Sequence, residues 1–496
     1  MTIEVPVGPW APDMPDYENE GSTEALNVVP AAKSYRPFPS FSALSQSLAA
    51  RALGAIFVRK ADGSGIVIAG DRTKLYLMTA TSIADISRIS GGSYACPSTG
   101  GWSFAQFGPN ILAFNGSDAG QTFNIETDAH FVDLSGSPPT SHYACVAGDF
   151  VMTGNQRSRR TRVQWSAIND SADWAVSQAT QASYQDLPDG GWIKGVVGIE
   201  YAAIIFQEFA IRRASYEGPP LVFRFDRLSN GLGCSLPGSI ASYRNMIFFC
   251  DRSGFYMIPD GIQIMPIGHQ LVDTTFWALI DQGNLHRVTA AIDPANSLYA
   301  IAFPDATATN GDPNHLYIYQ WQLQRWAHVR PGNLDMIFQA VAGRGYTMEG
   351  LASAAPNLDT LGTSLDSLTW QGQASGLIGA FNTNHALGYF NGTPLAATVD
   401  TTEANIIPGK KGFLRSLRPL VDDRGGSAAV ALGIRDRLNE APAFGPAVAQ
   451  NARGQCRFRS GSKALYHRAR IMIEAGAAWE HVQGVTDIRI QPAGTR

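Results

Sequence analysis

Four arginines crowd into six residues in RSRRTR: Arg157, Arg159, Arg160 and Arg162. Guanidinium groups form charge-assisted, bidentate bonds to phosphate, so phosphate contact is one chemistry open to this stretch. The flanking segments read as strands, which puts the arginines on a hairpin loop, and a solvated loop is the preferred reading of them. A second basic stretch lies near the C-terminus. No Asp or Glu occurs between Glu440 and Glu474, while Arg453, Arg457, Arg459, Lys463, Arg468 and Arg470 do. In HRARIMIE, strand alternation sets Arg468, Arg470 and Met472 on one face, and His467, Ala469, Ile471 and Ile473 on the other. The apolar face is expected to pack inward and the arginine face to meet solvent or a partner subunit.

Evidence for catalysis is thin. The chain has no HExxH, GxSxG, GxxxxGK[ST] or dinucleotide fingerprint. Its nine histidines never fall at metal-ligand spacing, and none has an adjacent cysteine pair. SDAGQTF at 117–123 approaches the Asp-box S-x-D-x-G-x-T-W of sialidase-like propellers. It lacks one residue between Ser117 and Asp118, and Phe123 replaces Trp. That box shapes a hairpin turn, and a glycosidase would also need two carboxylates converging in a cleft. The expectation is a protein that is not an enzyme and needs no cofactor or metal. A glycan-processing or glycan-binding propeller is the alternative.

The elements that would position these residues follow from composition and repeat. Of 496 residues, 45% are hydrophobic and only 16% charged, with 50 glycines and 28 prolines. This suits many short strands, tight turns and extensive burial. Five scattered cysteines, Cys96, Cys145, Cys234, Cys250 and Cys456, form no framework and read as free thiols in a reducing compartment. The N-terminus lacks a signal-peptide pattern, and no apolar run approaches a membrane span. Residues 376–496 hold 15 Lys and Arg against 9 Asp and Glu, whereas 1–375 hold 23 against 33. An acidic body thus carries a basic C-terminal part. The mild overall acidity, with an isoelectric point near 6.1, argues against a DNA-binding regulator.

A strand–turn–strand unit recurs at 54, 104, 143, 193, 240, 288 and 338, as in FAQFGPNILAFNG and YACVAGDFVMTGN. A period of about 40–50 residues predicts β-propeller blades, because one small sheet cannot cover both of its faces and a ring of sheets can. Trp and Tyr late in several units are expected to pack between blades. The fold class predicted is all-β: a propeller of six or seven blades over 42–354, a linker over 355–375 and an antiparallel β-sandwich over 376–496. A sandwich over the repeat region is the alternative. Two short helices are expected, at 42–54, with Ser42 as N-cap, and at 273–283. Residues 1–41 form an extended arm. Its ALNVVPAAKSYRPFPSF segment is too proline-rich for a helix and too apolar for a loose tail. Tyr35, Phe38 and Phe41 are expected to insert against the chain's own body or a neighbouring subunit.

The ordered series LNVVPAAKSYRPFPSF, VQWSAINDSADW (163–174), the strand-rich segment 204–258 and the closing RARIMIEAG…GVTDIRIQPAG resembles the tail nozzle proteins of short-tailed bacteriophages. These are also called tail hub or packaged-DNA stabilisation proteins. The family's N-x-x-P…Y-R-x-F-P segment matches Asn27, Pro30, Tyr35, Arg36, Phe38 and Pro39; the RSRRTR loop and the basic C-terminal part depart from the family. The resemblance implies a virion protein assembled in the host cytoplasm as a ring, typically a homohexamer, below the portal and adaptor rings. Such a head–tail connector would prolong the DNA channel, help retain packaged DNA, and dock a tail needle, tailspikes or fibres. Genomic DNA would pass without sequence-specific binding.

Overall fold

The computed structural model describes residues 4–15, 20–60, 65–79, 82–341, 376–423, 426–458 and 463–493. The expected linker at 355–375 and the second half of the repeat at 338–350 lie outside these residues. Seven sets of four antiparallel strands follow one another around a ring. Six are separate sheets, and the remaining set, within 289–329, begins a ten-stranded sheet. The innermost strands are Gly54–Arg59, Ser103–Phe107, Ser141–Ala147, Ile193–Ile199, Ala241–Tyr243, Thr289–Asp293 and Leu334–Val341. They open blades 1 to 7 and start within four residues of the repeat positions read from the sequence. The first strand of blade 7 packs beside that of blade 1, which closes the ring. The fold is therefore a β-propeller, and the alternative of a sandwich over this region does not hold.

Inner and second strands carry the burial. Phe150–Gln156, Ala202–Gln207 and Leu298–Phe303 are buried at every position. Blades are cemented by aromatic side chains, as the sequence suggested. Trp165 of blade 3 meets Phe223 of blade 4 edge-on at 5.1 Å. Trp326 of blade 6 donates through Nε1 to the Ile267 carbonyl beyond blade 5, at 2.8 Å, and packs on Phe255. Large rings filling the wedge between twisted sheets bury much area and keep their polar tips bonded.

Two expectations need correction. Residues 42–54 are not a helix. Pro39–Ser47 is a strand that pairs with Ala386–Pro394, placing Phe41 opposite Phe390 and Ala43 opposite Gly388. The sheet of blade 7 would otherwise end in an open edge, and pairing there outweighs the weak helical signal. Nor does the sandwich start at 376. Gly376–Asn382 and Ala386–Pro394 are the second and third strands of blade 7. The chain between Val341 and Gly376 separates the first two strands of this blade, so the regular spacing was lost. The helix expected at 273–283 is present as Asp273–Leu279.

The sandwich has two sheets. In one, Trp479–Pro492 lies between Gly412–Asp423 and the hairpin Val28–Ala31/Ser34–Pro37. In the other, Tyr466–Ile473 lies between Ala397–Asp400 and Ala428–Arg435. The link to the propeller is covalent in sequence and continuous in hydrogen bonding. Ala25–Leu26 pairs in parallel with blade 6 at His328 and antiparallel with Ala397–Asp400 at Val399 and Thr398. One ten-stranded sheet therefore runs from the propeller into the sandwich, and one apolar core extends through both, from Phe255 and Trp326 to Leu432 and Val482.

Candidate functional site

Two places gather the residues singled out in the sequence: the seam between propeller and sandwich, and a loop face on blades 3 and 4.

The seam is built by the N-terminal arm. Trp10 stacks on His328 of blade 6 and donates to the Thr23 carbonyl. Asp13 accepts from the amides of Thr274 and Thr275, capping a helix whose own cap position, Val272, has no side-chain oxygen. Asn27 has a φ of +59°, a left-handed conformation that Asn tolerates better than most residues. From there its amide donates to the Ala396 carbonyl at 2.7 Å, and its side-chain oxygen accepts from the Arg330 amide at 2.8 Å. One side chain thus pins the end of blade 6 to the entry of the sandwich.

Tyr35 is fully buried and gives its hydroxyl to the Gly8 carbonyl. Arg325 of blade 6 covers its ring. Phe38 is buried against Phe390, and Phe41 is half-buried beside the same ring. All three aromatic side chains pack inside their own chain. Tyr35 and Phe38 present no surface to a neighbour, so the expectation of a subunit contact does not rest on them.

The arginine pair of HRARIMIE keeps the face that alternation assigns it, but that face is covered. Arg468 is buried, and its Nη1 donates to Thr23 Oγ1 at 2.7 Å. Arg470 forms a two-point ion pair with the fully buried Asp400, at 2.7 and 2.9 Å, and lies 3.9 Å over the Phe444 ring. Thr23 also donates to Asp400. The arm covers the face expected to be free, and only Met472 of that face is exposed. Burial, and then the Asp400 carboxylate, raises the Glu24 carboxyl pKa.

A buried polar chain crosses blade 6. Asp305 bonds His315 Nε2 at 3.0 Å, and His315 Nδ1 meets His328 Nε2 at 2.6 Å. Burial lowers the His328 pKa to about 3. No spacing in the sequence announced this relay, because its members come from a loop and two neighbouring strands. Among the described residues, no group of three or more His, Cys, Asp or Glu could hold a metal ion.

The loop face is formed where RSRRTR joins the second and third strands of blade 3, as expected. Arg162 has left the loop. It opens the third strand, forms a two-point pair with Asp186 at 2.7 Å on both arms, and stacks on Tyr184 at 3.6 Å. Arg159 reaches the same carboxylate at 4.0 Å. Arg160 donates to Asn155 Oδ1 and lies over Trp192 at 5.3 Å. Arg157 is exposed. The connection from blade 3 to blade 4 and the tight turn inside blade 4 emerge on this same face. They present Trp192 and Phe209, 51% and 62% exposed. These two rings were missed in the sequence. The signal available was PDGGW at 188–192, an aromatic residue directly behind a turn.

The Asp-box-like SDAG is a turn device. Asp118 accepts from the Ala95 amide, Asn115 and Arg88, while Asn115 accepts from the amides of Ser117 and Asp118. The inner strands of blades 2 to 5 line an open depression of about 280 Å³, with Phe104, Gln106, Val146, Val197, Gly198 and Ser242 among its walls and no charged side chain.

No family model matches the chain, and no curated protein matches it. Solved structures do. The extracellular domain of a one-component system from B. thetaiotaomicron matches at TM-score 0.43 and 12% identity, over 86% of this chain and 48% of its own. This chain thus spans about half the length of that relative. The WD40 domain of Neurospora crassa Pan2 matches at TM-score 0.40 and 7% identity, over 71% of this chain and 94% of its own. These likenesses carry no argument about activity, and the propeller assignment rests on the order of the strands.

Proposed function

We propose that this chain is a structural virion subunit, the tail nozzle of a short-tailed phage, which assembles as a ring and prolongs the DNA channel. One observation carries this. The residues that bear the resemblance are those that lock the molecule together. Asn27 bridges propeller and sandwich, Tyr35 lies under Arg325, Phe38 packs on Phe390, and Pro39 opens the strand that completes blade 7. A motif that keeps two units at one angle suits a subunit whose neighbours must meet it in register.

In such a ring the DNA conduit would lie between copies of the chain. A mildly acidic wall there would let phosphates slide past without trapping them. Adaptor and needle or spike proteins would bind at the ends of such a ring. Electron microscopy of the purified protein, alone and with its adaptor, tests the proposal. Closed rings are the expected outcome. A chain that stays monomeric in both conditions and is missing from phage tails would overturn it.

A further inference from the structure

We infer that the loop face of blades 3 and 4 docks onto the outer rim of blade 2 in a second copy of this chain. The inference rests on the self-associating subunit proposed above and names the two surfaces that meet.

The first surface is basic and aromatic. The Arg160 carbonyl accepts from the Ile193 amide at 3.0 Å, which ties the arginine loop to the residue after Trp192. The Glu208 amide donates to the Trp192 carbonyl at 3.1 Å, which sets Phe209 beside it. Carboxylates are present but neutralised. Asp186 serves Arg159 and Arg162, Asp189 serves Arg212 and Arg227, and Glu208 serves Lys194. Among the described residues, Arg157 and Arg160 have no carboxylate partner. The face is therefore positive, on a stretch of chain, 1–375, that holds ten more acidic than basic residues (33 against 23). Exposed Trp and Phe beside arginine is the composition of a protein contact with a buried anchor. Interleaved carboxylates disfavour a polyphosphate backbone as the occupant.

The second surface is its complement. No Lys or Arg occurs from Ile89 to Gln156. Blade 2 therefore carries carboxylates alone. Arg88 answers both Asp118 and Asp133, at 3.1 and 3.6 Å, while Glu126 and Asp128 are exposed on the rim. Val132, next to Asp133, and Ile89, next to Arg88, are 53% and 83% exposed. The outermost strand there, Val132–Asp133, is two residues long and pairs on one side only. Apolar anchors ringed by negative charge face apolar anchors ringed by positive charge, which favours fast, oriented encounter. Because the two surfaces differ, the contact is head-to-tail, the kind that generates rings.

The test uses the full chain and two charge-reversed variants, Arg157→Glu/Arg159→Glu and Glu126→Lys/Asp128→Lys. All four positions are exposed, and the Asp128 carboxylate also accepts from the Asn124 amide and the Thr127 hydroxyl, so thermal melting should stay close to the wild type for the first variant and fall slightly for the second. Light scattering behind a sizing column reads assembly against concentration. Each variant alone should need at least about tenfold more protein to assemble. An equimolar mixture of the two should recover assembly, because reversed surfaces pair across variants. A photo-crosslinking residue at position 192 should join to the peptide around 124–133 of another copy. If wild type assembles and both variants do so equally, or the crosslink falls elsewhere, this inference fails while the ring proposal stands. If wild type stays monomeric at all concentrations, this inference fails, and the ring proposal is decided by assembly with the adaptor and by presence in phage tails. Salt-sensitive binding of a fluorescent dT20 by that monomer, lost in Arg157→Glu/Arg159→Glu, would assign the face to nucleic acid instead.

Discussion

The guanidinium carbon of Arg325 lies 4.6 Å above the ring of Tyr35, so a blade 6 side chain holds the N-terminal arm from outside while the arm holds the sandwich. The same guanidinium donates to the carbonyls of Ala31 and Gly8 at 2.7 and 3.0 Å. Replacing it removes this donor from both carbonyls, and the Gly8 carbonyl keeps only that of the Tyr35 hydroxyl. Arg325→Ala is expected to lower stability by about 3 kcal/mol, and Arg325→Lys by less, since a lysine cannot span both carbonyls and cover the ring. Urea unfolding followed by circular dichroism measures this. An unchanged midpoint in Arg325→Ala would show that the arm is held by its other contacts.

The strand Pro39–Ser47 is the outer strand of blade 7, although it belongs to the N-terminal part of the chain. Removing residues 1–47 should leave Ala386–Pro394 as an unpaired edge and open the ring. Aggregation during purification is the expected outcome. A truncated chain that elutes as a sharp monomer with wild-type melting would show that blade 7 closes without it.

Acid should loosen blade 6. Burial holds the His328 pKa near 3, below its ordinary 6.5, and also lowers that of His315. The unfolded chain therefore binds more protons than the folded one between these values. Stability from His328 is complete above about pH 6.5 and declines as pH falls toward 3, by up to about 1.4 kcal/mol per unit. The Asp305 carboxyl is held low by bonds from Asn314, Thr307 and His315 despite its burial penalty, so its contribution is lost in the same direction at still lower pH. His328→Gln should flatten the decline between pH 6.5 and 3 in denaturant midpoints. Parallel profiles for variant and wild type would exclude this relay as the acid-sensitive element.

All five cysteines are buried, and burial pushes the thiols of Cys96, Cys145 and Cys234 up to about 12. Thiolate is the reactive form. Ellman's reagent is expected to modify none of them in the native protein at pH 8 and five after guanidinium unfolding. Rapid native labelling of even one would reveal an opening of its blade.

Much of the propeller was legible in the sequence. Each blade begins with a strand, a turn and a more apolar strand, and the second strand is buried on both faces, so Ala202–Gln207 and Leu298–Phe303 stand out by apolar content alone. The loop position of Arg157 to Arg160 was equally clear, because turn residues bracket it. The closing strand was not, since Ser42, Ser45 and Ser47 suit a cap or a coil as well as an edge strand. Nor was Arg468. Alternation assigns it to the outer face of its own strand correctly, but gives no sign that Thr23 comes from 445 residues away to cover it.

The sequence by itself determined the local units: strand pairs at a blade period, cysteines outside any disulfide framework, and an arm that proline keeps extended. These depend on side chains a few residues apart, and periodicity records them. Tertiary structure alone decided which strand closes blade 7, which carboxylates answer the arginines, and which rings remain outside. Asp186, Asp400 and Asp305 acquire their partners, and Trp192 its exposed place beside Phe209, only when the blades are set side by side. Burial and charge pairing are properties of the assembled surface, and their energies depend on distances that no spacing in a chain encodes.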